Sequence, residues 1–282
     1  MVQSKYDISF IILTWNSANY IDQCLTSIDE IHQFKVKIYV IDNGSTDETR
    51  RLLENWQVKV HRAELEVIPL STNKGTTVSR NLGIRKAYNN SQYLCILDSD
   101  TVINEKAMAR LVQTLEGDSK IGIVGPAMKG LDGQIQNSGR GIPTLKIKLF
   151  KVMPFVTLRH KGEQMEMIPK EHEITDVGYL MSACWMMPAI LIEKIGLLDE
   201  NIFYAPEDVE YCLRAWKRGY RVCYYQDALI VHAWQRLSRK KLFSRHNWEH
   251  IKGLLYLFRK YNCIRILSPH LRWGTRWSRS FA

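Results

Sequence analysis

The sequence is poor in the features that would assign it to a membrane, a disulfide scaffold or a zinc protein. Its longest early apolar run, Ile8 to Leu13, is too short for a signal-peptide core or a membrane span. Six cysteines (Cys24, Cys95, Cys184, Cys212, Cys223, Cys263) include no CxxC pair and sit in apolar runs, which predicts buried free thiols and a reducing, cytoplasmic setting. No internal repeat is visible, and no glycine-rich loop in Ile8 to Tyr20 could cradle a triphosphate, which argues against a nucleotidyltransferase. Acid is almost missing from the last fifty residues. From Ala233 to Ala282 there are 12 Lys and Arg against the single Glu249, a net of +11. Residues 1 to 232 hold 27 basic and 28 acidic residues, a net of −1. The overall charge of +10 therefore belongs to the tail, and a near-neutral core with no nucleic-acid module argues against a nucleic-acid-binding protein.

What is present is an alternation of β-branched runs and helical patterns. Strands are expected at Ile8 to Thr14, Val36 to Ile41, Leu65 to Leu70 and Tyr93 to Leu97. Helices are expected through Tyr20 to Ile28, from about Thr46 and from about Thr76. This is an α/β pattern: a mostly parallel sheet with helices on both faces, whose ligands bind beyond the carboxyl ends of the strands. Those ends carry Asp42 to Ser45, Asn73 to Gly75 and Asp98 to Asp100.

Between Lys129 and Glu173 the periodicity weakens, which reads as a variable insertion with room for a short helix. A helix near Leu191 to Ile195 follows, then one from Pro206 to Arg218 with Glu207 and Asp208 at its positive end. Two strands, Arg221 to Tyr225 and Ala228 to Val231, then lead to His232.

Asp98-Ser99-Asp100 leaves a buried strand with two carboxylates on one side, a pair of hard oxygens suited to Mg²⁺ or Mn²⁺. The competing reading is a solvated loop that caps a helix near Asn104. Ser45 and Glu48 have capping-box spacing, which leaves the acid at Asp42 unexplained and free to accept from a base or ribose. Glu207 and Asp208 follow the aromatic pair Phe203-Tyr204, where one of them can be desolvated and act as a base. His232 alone would be structural, and only its company makes it a candidate.

Together these segments resemble the family-2 glycosyltransferases, particularly the rhamnosyltransferase-like bacterial members that build surface polysaccharides. The pieces are Phe10 to Asn16 (FIILTWN), Val40 to Asp47 (VIDNGSTD), Asn73 to Gly75 with Arg80 to Gly83 (RNLG), the Asp98 to Asp100 triplet, and Gly196 to Glu200 (GLLDE) through Glu207-Asp208 to His232.

The resemblance implies a GT-A-type fold and an inverting, metal-dependent transfer from a nucleotide-diphosphate sugar, UDP-hexose or dTDP-rhamnose, to a saccharide hydroxyl. It implies donor binding by Asp42, Asn16, Asn73 and the backbone near Thr14, with Arg80 as a helper. Asp98 and Asp100 would face ribose and metal-bound diphosphate, and His232 would be a further metal ligand. Asp208 would be the general base, with Glu207 and Tyr204 on the acceptor side. Glu210 stands where the family has a second Asp, leaving the helix face acidic. A Gln-x-x-Arg-Trp segment after His232 is missing, which argues for one sugar per encounter rather than a processive synthase. The intact acid set argues against a catalytically inactive binding protein.

The expected layout is a catalytic domain over 1–238, with a donor half over 1–125 and an acceptor half over 126–238, and a basic helical tail over 239–282. In the tail, Trp248, Ile251, Leu255 and Phe258 keep helical spacing and predict a helix packed on the domain. Trp273, Trp277 and Phe281 beside Arg272, Arg276 and Arg279 suit an anionic membrane surface, at the inner face of the cell membrane, where a lipid-diphosphate-linked acceptor would be met.

Overall fold

The computed structural model describes residues 4–136, 138–152, 155–168, 172–233 and 245–261. In chain order the elements are β1 (Tyr6–Thr14), α1 (Ile21–Asp29), β2 (Val36–Asp42), α2 (Thr49–Gln57), β3 (Glu64–Pro69), α3 (Thr76–Ala87), β4 (Ser91–Asp98), β5 (Thr101–Val102), α4 (Glu105–Gly117) and β6 (Ile121–Lys129). Then come β7 (Ile135–Gln136), β8 (Gly139–Arg140), α5 (Leu145–Val152), α6 (Val156–Glu166), β9 (Ile174–Asp176), β10 (Tyr179–Leu180), β11 (Cys184–Pro188), α7 (Ile190–Ile195), α8 (Glu207–Lys217), β12 (Arg221–His232) and α9 (Arg245–Tyr261).

Ten of the strands build one sheet along the order β3-β2-β1-β4-β11-β6-β12-β5, with β7 on β6 and β9 on β12, while β8 and β10 pair in a separate two-stranded sheet. The β3-β2, β2-β1 and β1-β4 pairs are parallel, β11 is antiparallel to both β4 and β6, and β12 is parallel to β6. Six long strands therefore point one way and β11 alone is reversed among them. The alternation of side chains along β1 explains how both faces are covered. Ile8, Phe10 and Ile12 enter one core with Cys24, Leu25 and Ile28 of α1, Leu53 of α2 and Met108 and Leu111 of α4. Ile11 turns the other way, to Ile84 of α3, Leu191 of α7, Val209 of α8 and Leu257 of α9. The expected fold class holds. So do the buried free thiols, at Cys24, Cys95, Cys184, Cys212 and Cys223, while Cys263 lies outside the described residues.

Several local expectations are corrected. Helix α2 begins at Thr49, not near Thr46, because Asp47 accepts from the Thr49 amide and ends the turn. The Ser45–Glu48 capping box does not form, since Ser45 Oγ accepts instead from the Asn16 amide. The insertion carries two helices, α5 and α6. The two strands before His232 are one, β12: Gln226-Asp227 reads as a break, but it is a bulge across which the pairing to β6 resumes at Leu229. Helix α9 does pack on the domain, but through Gly253, Leu257 and Tyr261, and it leaves Trp248, Ile251 and Leu255 exposed. The tail's Leu271 to Ala282 segment and the region of the missing Gln-x-x-Arg-Trp motif lie outside the described residues. Among the described residues, no helix is long and apolar enough to cross a membrane.

Candidate active site

The shared direction of β1, β2 and β4 delivers their carboxyl ends to one edge, and β12 brings His232 to the same place. His232 pairs with Thr101 of β5, and the Ala233 amide donates to the Asp100 carbonyl at 2.9 Å. Asp98, Asp100 and His232 thus present ligand atoms that all lie within 4.8 Å of one another, with His232 Nε2 3.4 Å from Asp100 Oδ1. The capping alternative for the triplet falls away, because Asn104 itself accepts from the Ala107 amide. Two carboxylates and one imidazole are a donor set that fits a divalent ion such as Mn²⁺ or Mg²⁺.

The imidazole is oriented by a residue that the sequence did not single out. Gln136 Nε2 donates to the His232 carbonyl at 2.9 Å, which fixes its amide so that Oε1 faces His232 Nδ1 at 2.8 Å. An oxygen there requires a proton on Nδ1 and leaves Nε2 as the ring nitrogen that faces Asp100 and the site. Burial works against the charged ring, yet the hydrogen bond and charge of Asp100, with Asp98 behind, raise its pKa above the ordinary value. Gln136→Leu is therefore expected to weaken Mn²⁺ binding by about 10- to 100-fold. Titration of Mn²⁺ followed by electron paramagnetic resonance checks this, and an unchanged affinity would remove Gln136 from the site.

Arg80, on α3, is 2% exposed and ties two walls together. It reaches Asp98 at 2.6 Å, Glu207 at 3.2 Å and the Ser182 carbonyl at 3.1 Å, while Ser182 Oγ donates to Glu207 at 2.8 Å. Burial raises the Asp98 carboxyl, partly offset by Arg80. Burial and then the adjacent Asp208 push Glu207 up to about 7 against the pull of Arg80. Asp208 is likewise raised by burial, with its own Val209 amide and then Lys148 and Arg140 pulling the other way. The Phe203 to Pro206 approach to these acids is pinned from α3: the Thr76 amide donates to the Phe203 carbonyl at 2.6 Å. Gly75, at φ +85°, has no room for a side chain beside Phe203.

These groups line a cleft of 340 Å³ that brings together Asn73, Arg80, Asp98, Asp100, Tyr204, Glu207, Asp208 and His232. Thr14, Asn16 and Asp42 do not line it. Asp42 is fully buried and not free as expected: Oδ1 accepts from the Ser45 amide and Oδ2 from Arg50 Nε at 2.8 Å. Asn16, held at φ 51°, accepts from the Thr46 amide, so it braces the loop after β2. Glu210 does not add to the acidic face. Two residues on from Asp208 it has turned about 200° round α8, where it receives Arg214, Lys260 and Tyr261. Arg50 was legible in principle, because a cation in the first turn of α2 opposes the helix dipole and calls for a partner. Gln136 was not, being 96 residues from His232.

Glycosyl transferase family 2 matches residues 9–171, more than half of the chain. The chain belongs to that family. Among its relatives, the low-salt glycan biosynthesis hexosyltransferase Agl10 of Haloferax volcanii is 25% identical over 227 residues, 79% of this chain and 66% of its own length. This family-2 chain thus spans just under two thirds of that relative. Its fold is the GT-A fold of the mannosyltransferase PcManGT from Pyrobaculum calidifontis, solved with GDP-Man and Mn²⁺. The TM-score is 0.60 at 18% identity, covering 93% of this chain and 65% of that one. Residues 1–349 of S. aureus TarS with UDP-GlcNAc align at a TM-score of 0.57 and 18% identity, covering 94% and 68%.

Proposed function

We propose that this family-2 chain is an inverting, metal-dependent transferase that moves one sugar per encounter from a nucleotide-diphosphate sugar to a saccharide hydroxyl in surface-glycan assembly. The observation that carries the reading is the Asp98, Asp100 and His232 set facing Glu207 and Asp208 across one cleft. The donor is read as a UDP-hexose or dTDP-rhamnose and the acceptor as lipid-diphosphate-linked. Residues 1–125 serve the donor and 126–238 the acceptor within one shared sheet, and the basic residues of 239–282 meet an anionic membrane at its cytoplasmic face.

Asp98, Asp100 and His232 would hold Mn²⁺ or Mg²⁺, whose chemistry when bound is to neutralise the diphosphate leaving group. Asn73 stands at the donor side of the cleft. Arg50 holds Asp42, so that any base or ribose contact is made to an acid already fixed in place. Asp208 takes the proton of the acceptor hydroxyl at its carboxylate, and burial beside Tyr204 strengthens it as a base. Arg80 keeps Glu207 from moving into that space. Calorimetry with UDP-, dTDP- and GDP-sugars tests the reading. Binding to one donor in Mn²⁺, lost with EDTA or in Asp100→Ala, is expected; no binding to any donor would move the assignment to a non-catalytic binding protein.

A further inference from the structure

Helix α9 uses one face and leaves the other unpartnered. At 100° per residue, Gly253, Leu257 and Tyr261 share one side, and all three are buried. A side chain at Gly253 would collide with the Ala205 carbonyl and stand 2.9 Å from Pro206, so the backbones touch. Lys260 and Tyr261 add bonds to Glu210, and Tyr256 one to Asp199. The opposite side carries Trp248 and Leu255, each 65% exposed, Ile251 at 46%, and between them the exposed cations Lys252 and Arg259. Lys252 also reaches Glu249 at 3.0 Å, an exposed pair that costs little to open. Single exposed apolar residues are ordinary; three large ones within two turns of a helix anchored by its other face are not.

We propose that this outer face of α9 is the surface on which the protein rests against an anionic lipid bilayer. Tryptophan with leucine and isoleucine, interleaved with cations, suits the boundary between headgroups and acyl chains. A second copy fits less well, since pairing two copies of the stripe brings the Lys252 and Arg259 cations of both into one seam away from water. The chain beyond α9 continues the same character: residues 262–282 hold Arg265, Arg272, Arg276 and Arg279, three large aromatics and no acid. The placement has a use, which rests on the reading that the acceptor is carried by a lipid. Ala205, against which the inner face of α9 packs, lines the cleft, and Asp208 follows it within one turn, so the helix that meets the bilayer also borders the cleft.

The test is sedimentation of the full chain with vesicles of equal parts phosphatidylcholine and phosphatidylglycerol, and with phosphatidylcholine alone. Wild type should bind the mixed vesicles far better than the neutral ones. Trp248→Ser/Ile251→Ser/Leu255→Ser should lose most binding, and Lys252→Gln/Arg259→Gln should bind about 30-fold more weakly. Both should keep Mn²⁺-dependent donor binding by calorimetry, which also shows that they fold. Vesicle binding equal to wild type in both variants overturns the proposal. So does equal wild-type binding to neutral vesicles, or a wild-type dimer in solution that the apolar variant dissolves. Vesicle binding that follows this pattern while no form binds a donor would sink the transferase reading and leave this one standing.

Discussion

Asp208→Asn is expected to lower the transfer rate by about 10²- to 10⁴-fold, the usual worth of a positioned general base, with donor binding unchanged. Asparagine keeps the volume and still offers an oxygen to the Val209 amide, which Asp208 Oδ1 holds at 2.8 Å, so helix α8 should start as before. What is lost is the carboxylate that takes the acceptor's proton. Steady-state release of nucleoside diphosphate in the presence of acceptor measures the effect, and turnover near that of wild type would remove Asp208 as the base.

The pH dependence carries a second signature. The base works ionised, and burial raises Asp208 while Glu207 stands at about 7 beside it. Transfer should therefore fall as the pH drops through the apparent values of the pair, higher than for ordinary carboxylates. That acid limb should flatten in Asp208→Asn.

Arg80→Met should cost about 3–5 kcal/mol of stability, because it leaves buried carboxylates without their counter-charge. Asp98 and Glu207 both lean on the same guanidinium, and Glu207 is 7% exposed. Arg80→Lys should not rescue it, since an ammonium cannot span the two acids and the Ser182 carbonyl as the planar fork does. Urea unfolding reads the loss. The sign of its pH dependence follows from the acids: the folded pKa values of both are raised. Their ionised forms are therefore the strained ones, and the deficit should shrink as the pH falls and they protonate. A deficit that stayed constant into acid would mean that packing, not charge, is what Arg80 supplies.

The fold was legible because its strands are short β-branched runs that end in polar clusters, and that pattern survives without knowledge of any partner. Asp98, Asp100, Glu207 and Asp208 drew attention because they sit at the ends of elements, but caps and turns put polar residues there as well, and it was the family resemblance that gave Asp208 and His232 their expected roles. What stayed hidden depends on distance through space. Gln136 lies on a two-residue strand inside a stretch with weak periodicity, and nothing local marks it as the partner of a histidine on β12. The role of Glu210 was misjudged, and the reach of Arg80 to Glu207 was unforeseen, because spacing along a helix says which face a residue occupies, not which long side chain arrives there. Arg80 reaches across to Glu207, and Glu210 is claimed by α9. The tail helix shows the same limit, since a helical repeat of Trp248, Ile251 and Leu255 named a stripe but could not say that glycine, leucine and tyrosine on the other side make the contact.

The reversed strand β11 sets the order in which the molecule can be completed. It is read off the ribosome after β4 and β6 but is inserted between them. Without residues 184 to 188, the edges of Ser91–Asp98 and Ile121–Lys129 that β11 joins would have no partner between them. Such open edges are templates for the wrong neighbour. The strand that fills the gap also delivers the Ala183 carbonyl to the Asp98 amide at 2.9 Å, so the acidic end of β4 gains this backbone partner only once β11 is in place.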